Sequence, residues 1–315
     1  MNALWIAKDL SEYIETRGPL TCHVHSTFKE ALNLIDDQGE LIAVLPEQKG
    51  IAPMSLITTW PQAQIARIAQ NDLVFLTRES VNFPRTGIKI DSQHAISISC
   101  EVDIEHCCWS MCVLETNLIF LKERLIKVGD GNGLLPLIHC FDLQMGNSQG
   151  TILDSNTYCE FIQDVFMEII KLLKRGDYEG IREWLPRFVG FGPGLTPSTD
   201  DFLAGIMISM AYKSALNNET IDALSEEIYR SSVGKTTKVS EMMLKRAAKG
   251  QVASLYRDVL RSLFMPNPDV MHQQIESVIE TGATSGTDFL LGVYCFLSLV
   301  VQESKHKGGI EYGIV

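Results

Sequence analysis

The sequence predicts an α+β protein: a β-rich N-terminal domain followed by a mainly helical C-terminal domain. Three observations carry that reading. Up to about residue 150 the apolar residues come in short runs, several rich in Ile, Val and Thr, separated by turn residues. From Asp154 onward the apolar period becomes that of helices. Finally, a block at 190–205 returns in shortened form at 282–292, each copy leading from glycines and hydroxyls into an apolar segment.

In chain order, strands are expected at Leu20–His25, Leu41–Leu45, Met54–Thr59, Leu73–Leu76 and Ala95–Ile104. Within the last, Ile96-Ser-Ile-Ser-Cys-Glu-Val-Asp-Ile104 alternates with period two. Helices are expected at about 27–36 and 113–127, and Gly129-Asp-Gly-Asn-Gly133 reads as a loop. A second loop, Gly146-Asn-Ser-Gln-Gly150, sets the expected boundary between a domain at 1–150 and a helical domain at 151–303. Ile162, Val165, Phe166, Ile169 and Leu173 then share one helical stripe, which stops at Arg175-Gly176. Further helices are expected at about 199–216, 219–232, 236–249, 251–264, 268–281 and 286–302, with 304–315 a frayed polar tail. The helices after the two related blocks are apolar nearly all round, which predicts the centre of the helical domain.

Composition bounds the function. The chain has 315 residues, 45% of them hydrophobic and 21% charged, enough apolar material for two folded cores. A formal charge of −12 argues against nucleic acid and anionic membranes, though not against a small anion held by local amides. No basic segment followed by a long apolar run opens the chain, and the apolar stretch Phe289–Val301 is short for a membrane span. Eight scattered cysteines form no Cys-x-x-Cys pair, the pattern of reduced thiols, so a cytoplasmic protein is expected.

The block Gly190-Phe-Gly-Pro-Gly-Leu-Thr-Pro-Ser-Thr-Asp-Asp-Phe-Leu-Ala-Gly205 carries the chemistry. Its second half aligns without a gap to Ser285-Gly-Thr-Asp-Phe-Leu-Leu-Gly292, and Thr196 and Thr284 precede the two serines. Amides at a glycine-rich helix start carry partial positive charge and suit an anion. Gly192, Gly194, Thr196, Ser198, Thr284 and Ser285 are the expected substrate-binding residues, with Asp200, Asp201 and Asp288 the expected catalytic ones. Carboxylates beside an anion must cap amides, bind substrate N–H groups, hold a cation or act as a base. No cofactor is demanded by this pattern, although Mg²⁺ between the carboxylates fits it. A plainer reading makes Ser198-x-x-Asp201 and Ser285-x-x-Asp288 capping boxes, with Gly205 and Gly292 admitting close helix packing.

Elsewhere the signals are weaker. Gly234-Lys-Thr-Thr-Lys-Val-Ser240 lacks the first glycine of a phosphate loop, where Tyr229 stands, and reads as a helix start. Lys235 and Thr237 are its candidates for lining the anion site. His23-Val-His25 reads as ordinary strand histidines, and Cys107-Cys108-x3-Cys112 as packed thiols without zinc spacing. No metal site is expected.

Together the blocks resemble a bacterial family long of unknown function. The 190–205 block looks like its signature, and Thr237-x-Val-Ser240 with Leu244, Ala247 and Gly250, then Gly282–Gly292, resemble its next two blocks. His25-Ser-x-Phe28 with Ala31, Asn33 and Leu34 resembles its N-terminal block, and Thr199 departs from the family's expected glycine. The family includes the AllH-type subunit of oxamate carbamoyltransferase in anaerobic allantoin breakdown. The resemblance implies a transferase subunit that works with FdrA-like and AllG-like companions. Their reaction splits oxalurate with phosphate into oxamate and carbamoyl phosphate. A non-catalytic scaffold or metabolite-sensing subunit that binds a small anion is the alternative it leaves open.

Overall fold

The structure is a computed structural model and describes residues 1–59, 61–104, 110–147, 152–217 and 223–306. Two compact units make up the chain: Met1–Glu101 with Gln251–Leu255, and Val102–Gly250 with Tyr256–Val315.

The first unit is built on β1 (Ala3–Ala7), α1 (Lys8–Arg17), β2 (Leu20–Phe28), β3 (Ala31–Asp36), β4 (Leu41–Pro46), β5 (Ser55–Thr58), a one-turn α2 (Gln62–Ile65), β6 (Leu73–Leu76), β7 (Ser80–Phe83), β8 (Ile88–Asp91) and β9 (Ile96–Ile98). All nine strands join one sheet in the order β8-β7-β6-β2-β3-β4-β5-β1-β9. The run from β8 to β4 is antiparallel, whereas β4–β5 and β1–β9 pair in parallel. One face carries the core: Leu20, Cys22, Val24, Leu32, Leu34, Ile42 and Val44 alternate with more exposed neighbours, and Leu10 and Ile14 of α1 join them. Each expected strand is present, the last shortened to Ile96–Ile98.

The helix expected at about 27–36 is not there. Thr27 and Phe28 finish β2, and Ala31–Asp36 forms β3, paired with β2 at Phe28↔Ala31 and with β4 at Leu32↔Val44. Leu32 and Leu34 are buried while Ala31, Asn33 and Ile35 are half-buried, a period of two that burial between two neighbouring strands enforces over helix propensity. His23 is exposed and a register shift lies between Val24 and Ser26, so β2 presents His25 beside Ser26. Cys107 and Cys108 lie outside the described residues, as do residues 148–151 of the second glycine loop and 307–315 of the tail.

In the second unit the helices are α3 (Met111–Val128), α4 (Ile138–Gln144), α5 (Thr157–Arg175), α6 (Tyr178–Phe188), α7 (Ser198–Leu216), α8 (Ala223–Ser232), α9 (Lys238–Ala247), α10 (Ser254–Leu263, its first two residues counted with the sheet unit), α11 (Pro268–Ile279) and α12 (Ser285–His306). Every helix expected beyond residue 154 is present, the one expected at 219–232 from Ala223 onward, with 219–222 outside the described residues. As expected, α7 and α12 pack against each other and are buried on nearly all sides. By length and composition α12 could cross a membrane, but most of it is buried inside this unit, as in a core helix. α5 turns its Ile162, Phe166, Ile169 and Leu173 stripe inward and ends at Gly176, whose φ of 68° is left-handed.

Candidate functional site

The two related blocks converge. α7 and α12 touch through matching positions, because a Cβ on Gly205 would stand 2.1 Å from the Phe289 carbonyl oxygen and one on Gly292 would stand 2.1 Å from that of Phe202. No larger residue fits either point, so these glycines serve helix packing. The phenylalanines in the matching positions anchor the helix starts. Phe202 packs on Phe166 and Phe188 at 5.3 and 5.9 Å between ring centres, and Phe289 packs on Tyr256 at 4.3 Å.

That crossing brings the hydroxyls together in pairs. Thr196 Oγ1 lies 2.9 Å from Ser285 Oγ, and Ser198 Oγ lies 3.3 Å from Thr284 Oγ1. Each pair joins one block to the other, and each serves the carboxyl of one helix. The Thr196–Ser285 pair lies against the Asp201 carboxyl and the Ser198–Thr284 pair against that of Asp288, so each pair has one proton for its own bond and one for the carboxyl. The capping-box reading fails at α7. Pro197 is the N-cap of α7 and makes no side-chain cap bond, and Ser198 spends its hydroxyl on the other helix.

Asp201 and Asp288 are both buried, with one oxygen apiece, Oδ2, lacking a hydrogen-bond partner. Asp288 Oδ1 accepts the Leu134 N–H at 2.7 Å, and its carboxyl fits only because Gly133 has no Cβ: one would approach both oxygens to 2.4 Å. Thr287 Oγ1 accepts the Asp130 N–H at 3.0 Å, so the 129–133 loop is pinned to the start of α12. Burial pushes the Asp288 carboxyl up to about 7, against the pull of the Leu134 amide and two hydroxyls. Asp201 is raised well above the carboxylate range, first by burial and then by the charge of Asp288. Both shifts favour the protonated form, and the larger one, on Asp201 beside the Asp288 charge, places the more tightly held proton there. Cys159, whose Sγ donates to the Gly133 carbonyl, is held protonated by burial, its thiol pushed up to about 12.

Asp200 has a different place. It accepts the Gly190 N–H at 2.7 Å and the hydroxyls of Thr236 and Ser240, the latter at 2.6 Å, and so ties the glycine loop to the start of α9. Thr237 is the N-cap of α9, accepting the Ser240 N–H at 3.1 Å while donating to the Leu195 carbonyl. Thr199 closes the loop from within, accepting the Phe191 N–H at 3.0 Å and donating to its carbonyl at 2.9 Å. Gly190, Gly192 and Gly194 all take positive φ, and a Cβ on Gly192 would meet the Ser198 nitrogen at 2.6 Å.

Solvent reaches this place from one side. Pro193, Gly194, Leu195, Lys235, Gly282 and Ala283 are exposed, Thr196 and Ser285 are half-buried, and Ser198, Thr284, Asp201 and Asp288 lie beneath. The expected binding residues therefore divide into a rim, a half-buried hydroxyl pair and a buried acidic floor. Sequence reasoning missed Gly133 and Leu134, which shape the Asp288 site, and Thr236 and Ser240, which hold Asp200. Among the described residues no group of three or more His, Cys, Asp or Glu side chains is placed to hold a metal.

Comparison with known proteins identifies the family. A family model described as oxamate carbamoyltransferase subunit AllH matches residues 188–297, and one described as the AllH family N-terminal domain matches residues 2–98. The first match contains both convergent blocks. No solved structure matches the chain.

Proposed function

For this chain, which belongs to the AllH family of oxamate carbamoyltransferase subunits, we propose that the junction of α7 and α12 is a site of carbamoyl transfer. The reaction is phosphorolysis of oxalurate to oxamate and carbamoyl phosphate, in cytoplasmic allantoin breakdown, performed with FdrA-like and AllG-like companion subunits. One observation supports this above the rest: two buried carboxyls, each under a hydroxyl pair that joins the two blocks, with no cationic side chain paired to either among the described residues. Stability alone gives little reason to keep that arrangement, because burying uncompensated carboxyls is costly.

The chemistry fits an acid–base pair. A phosphate oxygen bonds to the carbamoyl carbon, and the bond from that carbon to the oxamate nitrogen breaks with its electrons going to nitrogen. Hydrogen phosphate gives up one proton and the departing nitrogen takes one. Asp288, the carboxyl raised less, accepts the first proton, and protonated Asp201, closer to the half-buried hydroxyls, supplies the second. Hydroxyls of Thr196 and Ser285 orient the substrate oxygens, and loop amides stabilise charge that develops on the carbonyl.

The test uses the reconstituted three-component complex. Thr196→Val with Ser198→Ala is expected to lower phosphate-dependent turnover at least about a hundredfold, the scale of losing a positioned donor, while the isolated chain unfolds at nearly its original temperature. Equal losses of stability and turnover would refute the assignment. The deep burial of Ser198 and Asp288 favours one second reading, a subunit that binds the metabolite without turning it over. Oxalurate or carbamoyl phosphate raising the melting temperature of a chain whose double variant still supports full turnover would establish that reading instead.

A further inference from the structure

We propose that Asp201 and Asp288 jointly hold a divalent cation of the Mg²⁺ class between the starts of α7 and α12. Both carboxyls are buried, and Oδ2 of each is without a hydrogen-bond partner. Such oxygens demand a proton donor or a cation. Around them stand Thr196, Ser198, Thr284 and Ser285, so the side chains that serve these carboxyls all offer oxygen, and the nearby Cys159 thiol is held protonated; this is the hard-ligand set that suits Mg²⁺ rather than zinc or copper. Mg²⁺ keeps several waters and binds through one or two carboxylates plus substrate phosphate, so a pair of aspartates suffices where the described residues offer no group of three or more.

The ion also resolves an electrostatic conflict in the carbamoyl-transfer reading, on which this part of the inference rests. Two carboxylates repel phosphate and oxalurate; loaded with a divalent cation, both aspartates are carboxylates that give up the acid–base role of the ion-free pair, and the ion cancels their charge and presents open coordination positions to an anion arriving past Thr196 and Ser285. Gly133 contributes by absence, since any side chain there would displace the Asp288 carboxyl.

The experiment needs neither substrate nor companions. Chelator-stripped full-length chain is titrated with MgCl₂ by calorimetry and by thermal unfolding, with CaCl₂, MnCl₂ and KCl as parallel arms. Saturable binding of one Mg²⁺ with a rise in melting temperature is expected. Asp201→Asn and Asp288→Asn should each weaken it by about tenfold or more, while the exposed-site control Asp258→Asn binds as the original chain does. The Asn variants lose a buried charge, so they should melt no lower than the stripped chain. If either fails to fold, Thr284→Val and Ser285→Ala remove hydroxyls alone and should weaken Mg²⁺ severalfold. No Mg²⁺ response, a response to K⁺ only, or unchanged binding in all these variants would overturn the site. Failure of the ion to bind leaves the carbamoyl-transfer reading to its own turnover test; an ion-loaded chain that binds neither oxalurate nor carbamoyl phosphate tells against that reading and not against the ion.

Discussion

Asp200 and Asp201 are neighbours in the first turn of α7, both buried, and their surroundings are opposite. Asp200 is met by one amide and two hydroxyls. Asp201 has hydroxyls on one side, an oxygen without a partner on the other, and the charge of Asp288 nearby. The helix turns successive residues by about 100°, so one step points the first carboxyl at α9 and the next at α12. A satisfied buried carboxylate holds a structure together, whereas an unsatisfied one costs stability and is kept for chemistry. The glycine loop therefore has a satisfied, structural side and an unsatisfied side, the one proposed to be reactive.

The largest effect should come from breaking the structural side. Asp200→Ala leaves the Gly190 amide and the hydroxyls of Thr236 and Ser240 without their acceptor in a buried place. Each orphaned donor costs about 1–3 kcal/mol, so a loss on the order of 4 kcal/mol is expected in denaturant unfolding, with turnover falling alongside stability. A loss below about 1 kcal/mol would mean that the three donors find other partners and that Asp200 is not the tie.

Asp288→Asn should do the reverse: Asn keeps an oxygen for the Leu134 amide but removes the charge. The folded-state value of Asp288, about 7, lies above the ordinary carboxylate range, so the folded chain binds this proton more tightly than the unfolded chain does. Its contribution is complete below the unfolded value of about 4 and is lost as pH rises through 7. Metal-free protein should thus weaken between pH 4 and 8, and the variant should lose that slope and gain a few kcal/mol at pH 8, order-of-magnitude arithmetic of about 1.4 kcal/mol per pH unit. Turnover in the complex should nevertheless fall by about a hundredfold or more. A variant that is both less stable at pH 8 and less active would place Asp288 with Asp200, on the structural side.

The difference between the two sides also marks what the sequence makes legible. The helix starts were readable because the two blocks repeat Ser, Asp, Phe, Leu and Gly in register, and Gly205 and Gly292 sat where close packing needs them. Which carboxyl met which partner was not readable, since Ser240 lies 40 residues from Asp200 and Leu134 lies 154 from Asp288. Local pattern carries no information at that range. The same short sight produced the capping-box alternative: Ser-x-x-Asp is a local motif, yet its hydroxyls and carboxyls are used across helices. It also produced the false helix at 27–36, where Phe28, Ala31 and Leu32 favour a helix alone but a strand once β2 and β4 flank them. The α+β order and the helices beyond residue 154 survived because their periodicity is long and their caps are local, as at Asn156 and Gly176.

The smallest effect should come from the exposed rim, where the comparison between structural and reactive sides can be sharpened without disturbing either. Lys235 stands exposed in the turn before α9, and its backbone carbonyl, not its ammonium group, presses on Gly190, where a Cβ would lie 2.5 Å away. Lys235→Ala therefore keeps the backbone contact, and stability should change by no more than about 0.5 kcal/mol. An exposed ammonium facing an anion acts through a screened field, worth about 1 kcal/mol or less. In the complex, KM for phosphate should rise about threefold to fivefold at low salt with kcat unchanged, and the difference should shrink as ionic strength increases. An unchanged KM at low salt would remove Lys235 from the anion's approach and leave the hydroxyl pair of Thr196 and Ser285 as the outermost contact of the site.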